Sequence, residues 1–180
     1  MTPRKLIAIA VRLVMKGAWD EAIEQQHRVL EADPKNLRAL QKLAELYRKR
    51  DDPLVAAYYL SQAADRYVSH GYLIQAAALY KQVLELDPRL PDTQLRLAEL
   101  YQRLGVKSEA LAYYRIVAHH YDTLGDVPNA RGILQTMLAL DPGNGTLTHK
   151  LAELAARQDP ASPEAHRTPR EGGPGDPKSP

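Results

Sequence analysis

The chain has 180 residues, no cysteine and a formal charge of +2. The absence of thiols excludes disulfides, thiolate metal sites and thiol catalysis. The small net charge argues against a nucleic-acid binder, whose positive charge is usually larger and gathered on one face.

Taken in chain order, the apolar residues recur at helical spacing throughout. Leu40, Leu43, Ala44 and Tyr47 follow i, i+3, i+4, i+7 steps, and Leu97, Ala98 and Tyr101 repeat the pattern. Breakers interrupt it at regular places: Gly17, Asp33-Pro34, Asp51-Asp52-Pro53, Gly71, Asp87-Pro88, Gly105, Gly125 and Asp141-Pro142. Glycine suits a left-handed residue that ends a helix. Proline disfavours a helical residue before it. The pattern predicts nine helices, near 3–16, 18–32, 36–50, 53–70, 72–86, 90–104, 106–124, 126–140 and 145–157. Short links make neighbours antiparallel. The segment 158–180 is crowded with proline and glycine and poor in large apolar side chains, so a disordered tail is expected there.

Three markers share one period. Asp-Pro recurs at 33–34, 87–88 and 141–142, and Leu-Ala-Glu-Leu at 43–46, 97–100 and 151–154. Glycine recurs at Gly17, Gly71 and Gly125. Each step is 54 residues, so the unit is three helices long. Regular arrays build extended surfaces that hold other molecules.

Within 3–36 the chain shows Leu6, Ile9, Ala10, Leu13, Gly17, Trp19, Ala22, Val29 and Pro34. This resembles the tetratricopeptide repeat, a helix–turn–helix of 34 residues. The likeness recurs in frames 37–70, 57–90, 91–124 and 111–144, two pairs of which overlap by one helix. The resemblance implies an all-α fold over 3–157, a right-handed α-solenoid of antiparallel helix pairs. It also implies a protein-interaction scaffold. One specialisation of that family grips acidic peptide termini with inward Lys, Arg and Asn. The matching positions here hold Ile7, Val11, Gln41, Lys42, Glu45, Leu95, Arg96 and Glu99. Glu45 and Glu99 stand where the clamp needs asparagine and would repel a carboxylate, so that specialisation is not expected.

Candidate binding residues fall in three groups. Arg38, Gln41, Lys42 and Glu45, with Arg96 and Glu99, form a mixed polar face whose alternative role is simple solvation. Tyr58 and Tyr72 have no tyrosine one period later, which marks them as interface candidates rather than core. Ile7, Val11, Val14 and Met15 form a second apolar stripe on the first helix, against Ser61, Asp65, Val68 and Ser69 one unit later. That stripe is expected either to be covered by the same chain or to bind a partner or a second copy. The histidines lack metal or catalytic spacing, and no phosphate-cradling glycine loop occurs in the helical body. No apolar run approaches the ~20 residues that span a bilayer. Leu6 to Met15 mimics a signal segment, but Arg12 interrupts it. The expectation is a cytoplasmic, non-enzymatic adaptor without cofactor, binding a protein or peptide. A nucleic-acid-binding helical repeat is the alternative, although no polar pair repeats at a base-reading position.

Overall fold

The structure, a computed structural model, describes the backbone of residues 3–158 and the side chains of residues 17–157. The expected tail therefore lies outside the described residues. Eight helices follow one another: α1 (Pro3–Ala32), α2 (Leu37–Lys49), α3 (Pro53–Ser69), α4 (Leu73–Leu86), α5 (Pro91–Arg103), α6 (Lys107–Thr123), α7 (Val127–Leu140) and α8 (Gly145–Gln158). No strand occurs among the described residues. From α2 onward every boundary lies within one residue of its expected place.

The difference is at Gly17. The sequence pattern predicts two helices over 3–32, whereas α1 is one helix of 30 residues. Glycine permits a left-handed stop but does not impose one. Ala18 follows it, a strong helix former, and a mid-helix glycine costs only about 1 kcal/mol.

The other stops share one geometry. Gly71, Gly105 and Gly125 have positive φ, as does Asp51, which stands one period before Gly105. At each, the next residue's amide donates back to a tyrosine carbonyl at 2.9 Å: Asp52 to Tyr47, Tyr72 to Tyr67, Val106 to Tyr101 and Asp126 to Tyr121. The left-handed residue itself donates to the carbonyl one place further on. These paired bonds satisfy carbonyls that the helix end leaves free. The Asp-Pro links form a second, equally regular turn. The amides of Asp33, Asp87 and Asp141 close the preceding helix onto Val29, Val83 and Met137. Their carboxylates then accept from the backbone amides of Lys35 and Arg89 and from the Asn144 side-chain amide respectively.

Each helix packs chiefly on its two sequence neighbours. Packing is closest within α2–α3–α4 and within α5–α6–α7, and lighter across the Asp-Pro links. The 54-residue unit is therefore a three-helix block. Ala56, Ala76, Ala110 and Ala130 expose no surface, and Ala44, Ala64, Ala98 and Ala118 are buried as well. Small side chains at these crossings let helix axes approach to ~8–10 Å. Rings repeat with the same period: Tyr47 stacks on Tyr59, and Tyr101 on Tyr113. At the first joint, Arg50 lies over the Tyr47 ring and bonds Asp20 at 2.9 Å, which ties α2 to α1.

Asp51 provides a test of the turn geometry. The left-handed conformation is costly for an L-residue, and less so for aspartate than for most. Asp51→Gly is expected to raise stability by about 0.5–1 kcal/mol, and Gly105→Asp to lower it by a similar amount. Urea midpoints check this; no shift in either variant contradicts the account.

Candidate functional site

One position in the 34-residue register decides whether each joint is filled. In the four frames from residue 37 onward it falls at Leu60, Tyr80, Tyr114 and Leu134, on α3, α4, α6 and α7 respectively. All four side chains are buried. Leu60 and Tyr114 are 54 residues apart, as are Tyr80 and Leu134. The two three-helix blocks thus compare a leucine with a tyrosine twice, in opposite order.

The tyrosines fill their joints. Tyr80 is 1% exposed and Tyr114 is 3% exposed. The Tyr80 hydroxyl donates to the Asp65 carboxylate, and Arg96 bridges to the same oxygen at 2.8 Å. Burial, reinforced by the Asp65 carboxylate, pushes the Tyr80 phenol well above its usual range. It therefore stays protonated and donates. Tyr114 donates to Gln102 at 2.6 Å. Burial raises its phenol too.

The leucines leave openings. At Leu60 there is a hollow of about 180 Å³. Ala44, Leu60 and Leu79 are its apolar lining, and Gln41, Glu45, Arg48 and Gln82 are its polar rim. At Leu134 the hollow is about 260 Å³. Leu134, Met137, Leu147, Leu154 and Ala118 give it an apolar floor. Arg115, His119, Asp122, Thr146 and Lys150 stand around it. It shares Arg115, Met137, Thr146 and Leu147 with a neighbouring hollow of about 360 Å³, which reaches Ser108 and Asn144. A small apolar floor with a few polar groups at the rim suits the capture of a side chain from another molecule.

The rims differ in charge. At the first, Glu45 accepts from Lys49 at 2.6 Å and from Lys42 at 2.9 Å. These two ammonium groups, Lys49 first, hold its carboxyl at about 2. At the second, Lys150 and Arg157 grip Asp122 at 3.2 and 2.7 Å. Lys150, then Arg157, keeps Asp122 below the usual carboxylate range. Arg115 makes no ion pair among the described residues.

The sequence-predicted residues divide accordingly. Gln41 and Glu45 line the first opening, with Lys42 held beside Glu45; Arg38 is exposed one turn earlier. Arg96 braces Tyr80 and Asp65, while Glu99 is exposed. Tyr58 and Tyr72 are 57% and 55% exposed, and Leu54 and Ile74 are each 71% exposed. One period later these four positions hold Ala112, Asp126, Ser108 and Pro128. Leu54 and Tyr58, four apart on α3, share a helix face. The side chains of Ile7, Val11, Val14 and Met15 lie outside the described residues. Arg48 belongs to the mixed polar face expected on this helix, whereas sequence reasoning missed Gln82, Leu60 and the entire Leu134 opening. The signal was the alternation Leu60, Tyr80, Tyr114, Leu134 at a single register position.

Comparison with known proteins agrees with this periodicity. A family model described as TPR repeat matches residues 64–105, and one described as tetratricopeptide repeat matches residues 92–123. Residues 64–123 carry tetratricopeptide repeats. The photosystem I assembly proteins Ycf3 of two Synechococcus strains, one of them Synechococcus elongatus, are each 28% identical to this repeat protein over 92 residues. That stretch is 51% of this chain and 53% of each relative, so the chain spans about half the length of the curated relatives it matches. Solved structures similar to the repeat array include MamA, at 20% identity and a TM-score of 0.44, covering 79% of this chain and 92% of that one. A thermophilic TPR protein of Thermus thermophilus is 20% identical with a TM-score of 0.31, covering 86% of this chain and 99% of that one. No described helix of the array is long and apolar enough to cross a membrane.

The Glu45 rim has a defined acid signature. Its folded pKa is depressed, so its contribution to stability is present above the ordinary carboxylate range and is lost as pH falls through about 2. Carboxyl NMR is expected to place its midpoint near 2, and Lys49→Ala to move it toward the ordinary 4.5. A midpoint near 4.5 in the unaltered protein contradicts the ion-pair geometry.

Proposed function

We propose that this chain is a non-enzymatic protein-interaction scaffold that holds a segment of another protein at its two leucine-lined openings. The observation that carries this reading is the Leu–Tyr–Tyr–Leu alternation: the same joint is filled from within at Tyr80 and Tyr114 and open at Leu60 and Leu134. A hole in an otherwise close-packed interior costs dispersion contacts. A ligand that occupies it recovers them.

Gln41, Glu45, Lys42 and Arg38 supply polar contacts around the first opening in this reading. Tyr58 and Tyr72 supply exposed amphipathic surface, Tyr58 together with Leu54, and Arg96 and Glu99 extend the polar face. Ile7, Val11, Val14 and Met15 remain a proposed contact stripe for a partner or for a second copy of the chain. The printed name of the Ycf3 relatives, photosystem I assembly protein, fits a scaffold that holds another protein. A cytoplasmic setting remains part of the proposal.

Site-specific photocrosslinking in extract of the native cells tests the scaffold role. A crosslinker at Gln82 or Thr146, on the two rims, is expected to trap protein adducts. The same group at Arg131, exposed on α7 away from both openings, serves as control. Adducts equal at all three positions, or absent from both rims, contradict the proposal.

A further inference from the structure

We propose that the Leu134 opening receives the aromatic side chain of a partner segment that carries carboxylates beside it. This rests on the scaffold reading above and names what one of its two openings accepts.

The protein contains its own precedent for the occupant. One period earlier, Tyr80 sits at the Leu134 position. The floor of the opening has buried counterparts at the same register positions one period earlier. Ala64, Val83, Thr93 and Leu100 are buried, and they match Ala118, Met137, Leu147 and Leu154 on the floor of the opening. The two groups that hold the Tyr80 hydroxyl, Asp65 and Arg96, match His119 and Lys150 at the rim. The space that a phenol ring fills in one joint is thus walled in the same way in the next, with leucine in place of the ring. Its volume, about 260 Å³, exceeds the ~150 Å³ of an apolar cavity known to hold a benzene molecule.

The rim chooses the neighbours of that ring. Asp65 accepts the hydrogen bond of the Tyr80 hydroxyl in the first joint, whereas His119 stands in its place in the second. Asp122, the acid lining this rim, is gripped by Lys150 and Arg157, which also bond Glu153 at 3.3 and 2.9 Å, so these four charges balance. Arg115 faces the opening and makes no ion pair among the described residues. A ring entering there meets a net cationic collar, which favours carboxylates next to it and disfavours bases. The adjoining hollow toward Ser108 and Asn144 gives the chain on one side of the ring a path along α6.

The test is methyl NMR of the full chain, titrated with p-cresol, the side-chain analogue of tyrosine. Saturable shifts at Leu134, Met137, Leu147 and Leu154 are expected. Leu134→Tyr, which plugs the hole as Tyr80 does, is expected to weaken them at least ~10-fold. Blocked peptides Asp-Tyr-Asp and Lys-Tyr-Lys then probe the collar. The acidic peptide is expected to bind more tightly, and Arg115→Glu, at an exposed position, to remove that preference. If Leu134→Tyr fails to fold, the peptide comparison and Arg115→Glu still decide. Absent shifts, equal shifts in a folded Leu134→Tyr variant, or equal binding of the two peptides overturns the proposal. So do shifts at these methyls on dilution of the protein alone, which place a second copy in the opening. Crosslinking from Thr146 that persists when p-cresol does not bind leaves the scaffold reading standing and rejects the aromatic occupant.

Discussion

Close approach of neighbouring helices at buried alanines is the constraint on which the rest of this molecule depends. Ala56, Ala76, Ala110 and Ala130 are wholly buried at one register position, and Ala44, Ala64, Ala98 and Ala118 are buried at another. With a methyl group at the crossing, helix axes come close and the backbone geometry is set by the small residues. The larger residue one turn or more away is then free to vary without moving the helices. Tyrosine there fills the joint and leucine leaves it open. Helix spacing and the shape of the joint are thereby assigned to different positions of the same repeat.

The charged residues follow the same division. At the first joint Arg96 on α5 reaches back to Asp65 on α3, across the Asp87-Pro88 link. At the second, the tie between α6 and α8 runs from Asp122 to Lys150 and Arg157. Asp122 matches Val68, not Asp65. The acid has moved about one helical turn along α6, while Lys150 keeps the position of Arg96 and Arg157 joins it on α8. Each exposed pair contributes little to stability by itself.

Much of this was legible in the sequence for a simple reason. Breakers act locally, so Asp-Pro links and Gly71, Gly105 and Gly125 fix helix ends without reference to anything distant. Gly17 shows the limit of that logic. The glycine recurs there on the same period, and the helix runs through it. The openings were harder to see because each needs three helices to define it. Gln41 and Glu45 were recognised on α2 alone, but Leu60 comes from α3 and Gln82 from α4. Tyr58 and Tyr72 were visible as breaks in the period, and the Leu60–Tyr114 and Tyr80–Leu134 exchanges were breaks of the same kind. They passed as core because both residue types are apolar enough to be buried. Burial alone does not distinguish a residue that fills a space from one that borders it.

The central claim is that one side chain per joint sets the space while the alanines hold the helices. A crystal structure of the Tyr80→Leu variant tests it most directly. The account predicts that α3, α4 and α5 keep their positions, that Asp65 and Arg96 remain paired, and that a new hollow opens where the ring was, matching the one at Leu134. Helices that close together and erase the hollow would contradict it, because the backbone spacing would then be set by the tyrosine and not by the alanines.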